Sequence, residues 1–370
     1  MTAAMQLPIK LAPTLAWLVD EASAAAGFDR FLAELGTRLA QDGVPLAGAA
    51  LTVRVPDPII ARRTWLWRAE SSEVIEALAF ALTPTAPRDD ALEQAGRDWL
   101  LEIGNGPVLE HGVGTAPHRA ALGWIGGRPL TSAEADQLAQ AARFSTAPLA
   151  ALSARAMMSA TLNAYLGKRS AARVLSGPLR RDFGETIQAA LLFADLRGFT
   201  ELSETAPAAT VIAALNAWFD RIAGATHAFG GEVLKFIGDG MLAIFPITGP
   251  PNEACRAALR SVKAARAGMA HLNAMRQQEG LRPLAFGAAL HVGEIFWGNI
   301  GAADRLDFTA IGPAVNLVSR LEGLCKPLSQ SVLISGAIAA HADGALVALG
   351  QHALRGIAAP CAVFTLPEES

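Results

Sequence analysis

The first 145 residues carry alternating helical and strand-like patterns of apolar positions. From Phe28 the apolar residues recur at helical spacing, and Gly43 is placed to end this helix. Alternating apolar and polar residues in a short run are typical of a half-buried strand. Strands are predicted over LTVRV, TWLWRA and AALGWIGG, and helices over SSEVIEALAF and DALEQAGRDWLLEI. This order of elements predicts an α+β module.

A helical segment follows this module. Thr131 and Glu134 have the spacing of a capping box, which predicts the start of a long alanine-rich helix running to about Leu166, with a bend at Pro148. After it, GKRSAARVLSGPLRRDFGET is basic, contains glycine and has a mixed pattern, so we expect a connector rather than a core element. The resulting division is a first domain over 1–145, a helical linker over 146–184 and a second domain over 185–370.

The second half of the chain has a clearer pattern. IQAALLFAD is a run typical of a buried strand, and the apolar residues after Pro207 follow one face of a helix. EVLKFIGDGMLAIFP predicts two strands joined at Gly238-Asp239-Gly240, because Asp-Gly turns close hairpins tightly. A further helix is expected after Asn252 as its cap. AFGAALHVGEIFWGNIG and RLDFTAIG predict a second hairpin, and PAVNLVSRLEGL a third helix.

Length and charge narrow the possible functions. With 370 residues the chain exceeds what one hydrophobic core usually supports, so we expect two folded domains. The formal charge of -3 and the absence of a basic tract argue against a nucleic-acid partner. No segment approaches the roughly 18 uncharged apolar residues of a membrane span, and the first residues lack the pattern of a secretory signal. We therefore expect a cytoplasmic protein with no membrane association.

Cysteine, histidine and tryptophan give no strong sign of a cofactor. Three cysteines without metal-ligand spacing fit free thiols in a reducing compartment. They are Cys255, Cys325 and Cys361. His111 and His118 flank a glycine-rich loop, but without cysteine partners they are interpreted as surface or core residues. The tryptophans of the first domain are expected to be core residues rather than a ligand cage. They are Trp65, Trp67, Trp99 and Trp124.

Two carboxylates stand out in the second half. Asp195 ends the strand IQAALLFAD and Asp239 lies at the tip of a predicted hairpin, so a sheet that pairs these strands would bring both to one edge. Adjacent carboxylates repel unless a cation lies between them, and Mg²⁺ prefers carboxylates together with substrate phosphates. The turn LRGFT after Asp195 would add backbone N–H groups for an anion. The alternative is a structural role, because an Asp at a turn often bonds its own backbone.

The last predicted helix adds a second pair of polar residues. Asn316 and Arg320 are four residues apart, so they share one face and place an amide and a guanidinium near one target. For this helix alone, a solvated arginine is the simpler interpretation.

The segments FADLRGFTELSE, GGEVLKFIGDGMLAIFP and DFTAIGPAVNLVSRLE together resemble the signature motifs of the class III nucleotidyl cyclases, in order and at the usual separations. The resemblance covers about residues 185–367. It implies an α+β fold with a ferredoxin-like βαββαβ core, active as a head-to-tail homodimer. It also implies an adenylate cyclase that converts ATP to 3′,5′-cyclic AMP and pyrophosphate.

The resemblance assigns roles to individual residues. The metal ligands would be Asp195, Asp239 and the carbonyl of Leu196, holding two Mg²⁺ or Mn²⁺ ions per site. Asn316 would orient the ribose, and Arg320 would neutralise charge on the α-phosphoryl group. The phosphate-binding residues would be Gly198, Phe199, Thr200 and Arg355. The carboxylates of one chain would share a site with Asn316 and Arg320 of the other.

Lys235 and Thr309 fall at the base-reading positions of this family. Lysine can only donate and adenine N1 can only accept, whereas guanine N1 carries a proton, so adenine is favoured. The hydroxyl of Thr309 would accept from the exocyclic amine. This pair also resembles a bacterial subgroup that is sometimes stimulated by bicarbonate. The alternatives left open are a guanylate cyclase and a catalytically silent nucleotide-binding module. GGEV at 230–233 also resembles the turn of diguanylate cyclases, but here it leads into the strand of Lys235.

The first domain resembles a GAF-like sensor. Its order of elements and the ending GWIGGRPLTSAEADQLAQAA fit a last strand that passes into an exit helix. The resemblance implies a module that dimerises, receives an unknown small-molecule or protein signal and sets the approach of two catalytic domains.

Overall fold

The computed structural model describes residues 11–54, 60–80, 91–115 and 120–367. The chain divides into two compact units, Met1–Thr161 and Leu162–Ser370. His118 and Val55, which took part in the sequence predictions, lie outside the described residues. Each unit is treated by itself below.

The first unit is built around a five-stranded antiparallel sheet in the order β3-β2-β1-β5-β4. Its helices are α1 (Pro13–Asp20), α2 (Phe28–Gln41), α3 (Ala91–Ile103), α4 (Ser132–Phe144) and α5 (Thr146–Leu166), and a 3₁₀ turn covers Ala22–Ala24. Its strands are β1 (Leu46–Arg54), β2 (Ile60–Arg68), β3 (Val74–Phe80), β4 (Leu109–Val113) and β5 (Ala120–Gly126). The arrangement is the predicted α+β class.

Two hydrophobic clusters lie on the two faces of this sheet. On one face α1, α2 and α4 bury the larger cluster, which includes Trp65, Trp67 and Trp124 as predicted core residues. The close approach of α2 depends on Gly36, where an added Cβ would lie 2.5 Å from the ring of Trp67. On the other face α3 covers a small cluster against which Trp99 packs.

One predicted helix of this unit is wrong. SSEVIEALAF was expected to be helical, but Val74–Phe80 is the edge strand β3, paired with β2. Glu, Ala and Leu favour a helix locally, and the backbone pairing offered by β2 outweighs that weak preference. On the neighbouring strand β1, Thr52 is buried, and its hydroxyl is hydrogen bonded to that of Thr64 at 2.9 Å across the sheet.

The capping box at Thr131 is confirmed. Its hydroxyl accepts from the backbone N–H of Glu134, whose carboxylate accepts from the backbone N–H of Thr131 at 2.7 Å. The alanine-rich segment is divided between α4 and α5 at Ser145, and Pro148 lies in the first turn of α5, where proline is tolerated, rather than at a bend. The division between the two units falls within α5.

The second unit contains an eight-stranded sheet. Its helices are α6 (Lys168–Ser176), α7 (Phe199–Thr205), α8 (Ala208–Ala228), α9 (Pro251–Gln278), α10 (Pro313–Glu322) and α11 (Gly336–Ala339). Its strands are β6 (Gly184–Arg197), β7 (Glu232–Ile237), β8 (Gly240–Pro246), β9 (Ala285–Gly301), β10 (Leu306–Ile311), β11 (Val332–Ser335), β12 (Val347–His352) and β13 (Cys361–Thr365).

The order of the strands in this sheet identifies the fold of the second unit. Strands run β12-β13-β11-β9-β6-β8-β7, with β10 paired to β9. Within it β6, α8, β7, β8, α9 and β9 form a βαββαβ unit with strand order 4-1-3-2, which confirms the predicted ferredoxin-like core. The helices α8 and α9 bury one face of the sheet and α10 the other. The last three strands were not predicted, because they are short and two of them are largely exposed or only partly buried.

The segment predicted to be a connector forms the helix α6. Its first turn is stabilised by the buried carboxylate of Glu232, which accepts from the backbone N–H of Arg169 at 3.2 Å and from the N–H and hydroxyl of Ser170 at 2.7 and 2.5 Å. An acidic side chain at the N-terminus of a helix is favourable, but this one comes from a distant strand, β7. Sequence spacing therefore could not reveal it.

The predicted cap of α9 also differs. Pro250 occupies the cap position and Pro251 begins the helix, so Asn252 lies in the first turn. Proline fits the first helical position because its missing N–H would have no partner there. In the described ranges no helix has the length and apolar character that crossing a bilayer requires.

Candidate active site

The two carboxylates singled out in the sequence lie at one edge of the sheet. Asp195 is near the end of β6 and pairs with Gly287 on β9, while the preceding residue, Ala194, pairs with Met241 on β8. Asp239 occupies the turn between β7 and β8, after Gly238 with its φ of 63°. Because β6 and β8 are neighbours, the end of one strand meets the start of the other.

The carboxyl groups of Asp195 and Asp239 lie close enough for each to act on the other. Burial, followed by the neighbouring carboxyl group of Asp239, raises the pKa of the Asp195 carboxyl to about 6, opposed by a hydrogen bond from the backbone N–H of Leu196. Two adjacent carboxylates repel each other, so the ionisation of both is unfavourable in the protein alone. A cation between them would offset this repulsion.

The hairpin tip is held in place by two contacts. The indole Nε1 of Trp218, a fully buried residue of α8, donates to the backbone carbonyl of Asp239 at 3.0 Å. At Gly240 an added Cβ would lie 3.2 Å from Oδ1 of Asp195 and 3.3 Å from the carbonyl of Ala194. The absence of a side chain at Gly240 therefore allows the tip to approach Asp195.

The residues predicted to bind phosphate follow directly after β6. Gly198 is left-handed, with φ 74° and ψ 16°, and introduces α7, of which Phe199 and Thr200 are the first residues. Gly198 and Thr200 are exposed, whereas the side chain of Leu196 is buried. The chain thus turns sharply beside the carboxylates, as the sequence predicted for LRGFT.

A third carboxylate, Glu322, lies close to the pair and was not predicted. Burial and the charge of Asp195 raise the pKa of Glu322 to about 7, with a smaller contribution from Asp239 and an opposing one from Arg197. Space for it comes from Gly287, where an added Cβ would lie 2.2 Å from Oε1 of Glu322. The sequence contained one indication that Glu322 is unusual. It ends α10, and a negative charge at the C-terminal end of a helix is unfavourable.

A basic residue beside this cluster, Arg197, is hydrogen bonded elsewhere. The guanidinium of Arg197 donates to the backbone carbonyl of Gln330. It lowers the pKa of Glu322 only as a secondary effect. Burial, followed by the charge of Glu322, raises the pKa of the neighbouring Cys325 thiol to about 12, so this cysteine is not a reactive thiolate.

Asn316 and Arg320 are exposed on α10. In the part of the chain that the structure describes, neither side chain has a hydrogen bond or an ion pair. Arg355 is likewise exposed, in the loop after β12. Among the described residues no hydrogen bond or ion pair joins these three side chains to the carboxylate pair of their own chain. Glu322, on the same helix as Asn316 and Arg320, does lie close to that pair.

The predicted base-reading residues have different surroundings. Lys235 on β7 forms an ion pair with Asp307 on β10, a residue that sequence analysis did not single out. Thr309, two residues further along β10, is only 6% exposed. Residues 307, 309 and 311 share one face of β10, while Phe308 and Ala310 pack into the core on the other.

The edge of the sheet that carries Asp195 and Asp239, called the acidic edge below, fits a hard cation. Carboxylate and carbonyl oxygens are the ligands that Mg²⁺ and Mn²⁺ prefer, and a cation between the two carboxyl groups would offset the repulsion that raises the pKa of Asp195. Among the described residues no group of three or more His, Cys, Asp or Glu side chains has the arrangement of a complete metal site.

Among the residues that the structure describes, the histidine and the cysteines considered in the sequence form no site. His111 lies on β4, where partial burial lowers its pKa. All three cysteines are free.

Comparison with known proteins identifies the second unit. Residues 184–355 match the family model described as the adenylate and guanylate cyclase catalytic domain. Adenylate cyclase 1 of Rhizobium meliloti is 34% identical over 154 residues, covering 40% of this chain and 23% of that protein. An adenylate cyclase of Anabaena cylindrica is 32% identical over 148 residues, covering 40% of this chain and 29% of that protein. The chain thus spans less than a third of the length of either relative.

A similar fold extends to the first unit. A solved structure described as a bacterial light-regulated adenylyl cyclase covers 86% of this chain and 93% of its own, with a TM-score of 0.53 and 18% sequence identity. At this identity the likeness concerns the fold alone. The three motifs, the ferredoxin-like core and the family match agree, and residues 184–355 are a catalytic domain of the adenylate and guanylate cyclase family, the class III cyclases.

Proposed function

We propose that the protein is an adenylate cyclase that converts ATP to 3′,5′-cyclic AMP and pyrophosphate at sites shared between two chains. The observation that carries the proposal is the close approach of Asp195 and Asp239, from the end of one strand and the tip of the neighbouring hairpin, at the edge of a cyclase domain. Such a pair is unfavourable unless it serves a cation. ATP would bring its phosphates as the remaining ligands.

The site residues act on the substrate by position and charge. Asp195, Asp239 and the carbonyl of Leu196 would hold two Mg²⁺ or Mn²⁺ ions, which when bound lower the pKa of the ribose 3′-hydroxyl and stabilise the leaving pyrophosphate. The turn at Gly198 and the start of α7 at Phe199 and Thr200 would receive the phosphates, together with Arg355.

Asn316 and Arg320 would supply the part of the site that binds the ribose and the α-phosphoryl group. Asn316 would orient the ribose, and Arg320 would neutralise the charge that develops on the α-phosphoryl group, an electrostatic role that requires a free guanidinium. Both side chains are exposed and unpaired in the described part of the chain, as this role requires. Lys235 would donate to N1 of adenine, which favours ATP over GTP.

A homodimer is supported by apolar side chains exposed near Lys235. Phe236, Ile237 and Ile311 have exposed fractions of 51%, 49% and 48%. Phe236 and Ile237 lie on β7 between Lys235 and the Asp239 turn, on the surface that a second chain would have to cover. In such a dimer the carboxylates of one chain would meet Asn316 and Arg320 of the other, and two equivalent sites would form.

The first unit would act as a regulatory domain, GAF-like in the order of its elements, with the helices after it as the connection. This part of the proposal rests on its separate compact fold. A chain shortened to begin at residue 162 tests it, because activity and dimer affinity equal to those of the full chain would contradict a regulatory role. A cytoplasmic location would agree with this function.

The decisive experiment is a product assay. The purified full chain is incubated with ATP or GTP and with Mg²⁺ or Mn²⁺, and cyclic nucleotides are separated and quantified. Cyclic AMP as the main product is expected. Cyclic GMP as the main product would instead favour a guanylate cyclase, and nucleotide binding without either product would favour a silent regulatory module.

A further inference from the structure

We propose that Trp218 is a positioning residue that makes the acidic edge select Mg²⁺ over Ca²⁺. The inference rests on the proposed function in one respect, that Asp195 and Asp239 hold a divalent cation. It begins from the hydrogen bond that the indole Nε1 of Trp218 donates to the backbone carbonyl of Asp239 at 3.0 Å.

This hydrogen bond fixes a part of the hairpin that strand pairing leaves undetermined. Ile237 and Gly240 form the last pair between β7 and β8, so Gly238 and Asp239 are the two residues of the turn. The carbonyl of the second turn residue points away from the ladder of hydrogen bonds that joins the strands. The indole N–H therefore holds the peptide group between Asp239 and Gly240, and with it the orientation of the Asp239 side chain relative to β8.

The same indole packs against the strands that carry the other predicted ligands. The ring centroids of Trp218 and Phe286 are 5.3 Å apart, and Phe286 on β9 is paired directly with Leu196 on β6. The side chains of Trp218, Phe286 and Leu196 belong to one buried cluster. Leu196 directly follows Asp195, and its carbonyl is itself a predicted ligand. Trp218 thus links the turn of Asp239 to the end of β6.

The position of Trp218 is fixed by its surroundings. It is fully buried in α8, and Ala214 and Ile222, one turn before and one turn after it, are buried on the same face of the helix. The hairpin tip is confined from the other side at Gly240, where an added Cβ would lie 3.2 Å from Oδ1 of Asp195. The packing of the protein therefore sets the separation of the two carboxyl groups.

A rigid set of ligands distinguishes between the two cations. Mg²⁺ requires a nearly ideal octahedron of ligands at about 2.0–2.1 Å, whereas Ca²⁺ accepts about six to eight ligands at about 2.3–2.6 Å in a flexible geometry. Ligands that are held close together and cannot spread favour the smaller ion. Loosening the turn of Asp239 should therefore weaken the binding of Mg²⁺ more than that of Ca²⁺.

Two changes at position 218 remove the indole donor. Trp218→Phe keeps an aromatic ring beside Phe286. Benzothienylalanine in place of Trp218 is the sharper change, because sulfur replaces the N–H while the shape is nearly kept, and it preserves the test if Trp218→Phe does not fold. The matched control is Trp297→Phe. Trp297 is also buried in the second unit, but among the described residues its indole N–H has no hydrogen-bond partner.

Metal binding is measured on the full chain without nucleotide. Free Mn²⁺ is followed by electron paramagnetic resonance, and Mg²⁺ or Ca²⁺ is added to displace the bound Mn²⁺. The wild type and Trp297→Phe should prefer Mg²⁺ to Ca²⁺. Both changes at position 218 should weaken Mg²⁺ binding by about tenfold, the usual effect of losing a group that orients a metal ligand, and Ca²⁺ binding by about twofold or less. Thermal unfolding verifies that each variant is folded.

Several results would overturn the proposal. They are an unchanged ratio of Mg²⁺ to Ca²⁺ affinity in the benzothienylalanine variant, an equal loss of this ratio in Trp297→Phe, and a wild type that binds no divalent cation or does not prefer Mg²⁺. Turnover of ATP by the wild type is measured in parallel. A chain that shows these metal preferences without forming cyclic AMP would retain the role of Trp218 while the proposed activity fails.

Discussion

The acidic edge and the outer face of α10 differ in how far one chain completes them. Asp195, Asp239 and Glu322 are packed together, and the first and last of these have raised pKa values because of burial and mutual repulsion. Asn316 and Arg320 are exposed and unpaired within the described residues. The carboxylates of the acidic edge are brought together by the folding of one chain. The exposed face of α10 presents an amide and a guanidinium that have no partner among the described residues of the same chain. A site that needs both is therefore most simply completed by a second chain.

The largest effect is expected from substitutions that disable each region separately. Asp195→Asn removes a charge from the acidic edge, and Asn316→Ala removes the ribose contact, so each should lower activity by about 1,000-fold or more. In an equal mixture, half of the dimers combine the two chains and retain one intact site of two. The mixture should recover about one quarter of wild-type activity by this symmetry. Cyclic AMP formation is the measurement.

The control for this mixture is Asp195→Asn combined with Asp239→Asn. Both lie in the same region, so their mixed dimers contain no intact site and should stay inactive. Inactivity of the first mixture as well, with dimers verified by light scattering, would refute the shared site.

Arg320→Ala should lower the catalytic activity without changing the stability of the fold. The guanidinium has no partner in the described chain, so its loss should leave the melting temperature within about 1 °C. If it stabilises the transition state, kcat should fall by about 100-fold while KM changes little. Lys326→Ala, just beyond the same helix, is the control and should alter neither. A large drop in melting temperature would show that Arg320 supports the fold instead.

Gly240→Ala tests whether the acidic edge depends on close packing. The added methyl would lie 3.2 Å from Oδ1 of Asp195 and push the hairpin tip away. We expect a loss of activity of about tenfold, since small displacements of catalytic groups have effects of this order or larger. Gly249→Ala is the matched control, because nothing lies within 4 Å of its added Cβ. Equal activities for the two variants would contradict the tight contact at the tip.

The smallest predicted effect is the change in folding stability with pH. Asp195 and Glu322 have pKa values of about 6 and about 7 in the folded chain, against ordinary values of 3.8 and 4.5. The folded state therefore binds more protons than the unfolded state in this range. Their contribution to stability is present below the ordinary values and is lost as pH rises through the folded ones, by about 1–2 kcal/mol after allowance for solvent screening.

Thermal unfolding of the metal-free protein between about pH 4.5 and pH 8 measures this loss, which should amount to a few °C. Asp195→Asn with Glu322→Gln should flatten the dependence, and Mg²⁺ should raise the melting temperature of the wild type mainly at the upper end. Glu185→Gln, a surface substitution, is the control and should keep the wild-type slope. An identical slope in the double variant would remove the acidic cluster as the cause.

Local sequence patterns were sufficient to predict the position of a residue when the strand or turn that carries it has a recognisable pattern of its own. Asp195 follows a continuous apolar run and Asp239 lies in an Asp-Gly turn, so their meeting at one edge was predictable from the sequence. The same holds for Asn316 and Arg320, whose spacing defines a helix face. The roles of these residues as ligands and catalytic groups remain proposals.

The missed features depend on contacts between distant residues. Glu322 approaches Asp195 only because Gly287 leaves space on an intervening strand. Asp307 meets Lys235 across a separation of 72 residues. The edge strand β3 was predicted as a helix because its residues favour helices, and only its pairing with β2 reverses that preference. The pattern of hydrophobic residues along the sequence does not predict any of these contacts.

The buried carboxylate of Glu232 has a practical consequence for shortened versions of the protein. The family match begins at residue 184, but a fragment starting there would lose α6 and with it all three donors to Glu232. Without α6 the carboxylate would lose these hydrogen bonds and β7 would lose the helix that covers it, which destabilises the fragment. The shortest well-behaved catalytic fragment therefore starts before Gly167, about 20 residues ahead of the recognisable domain.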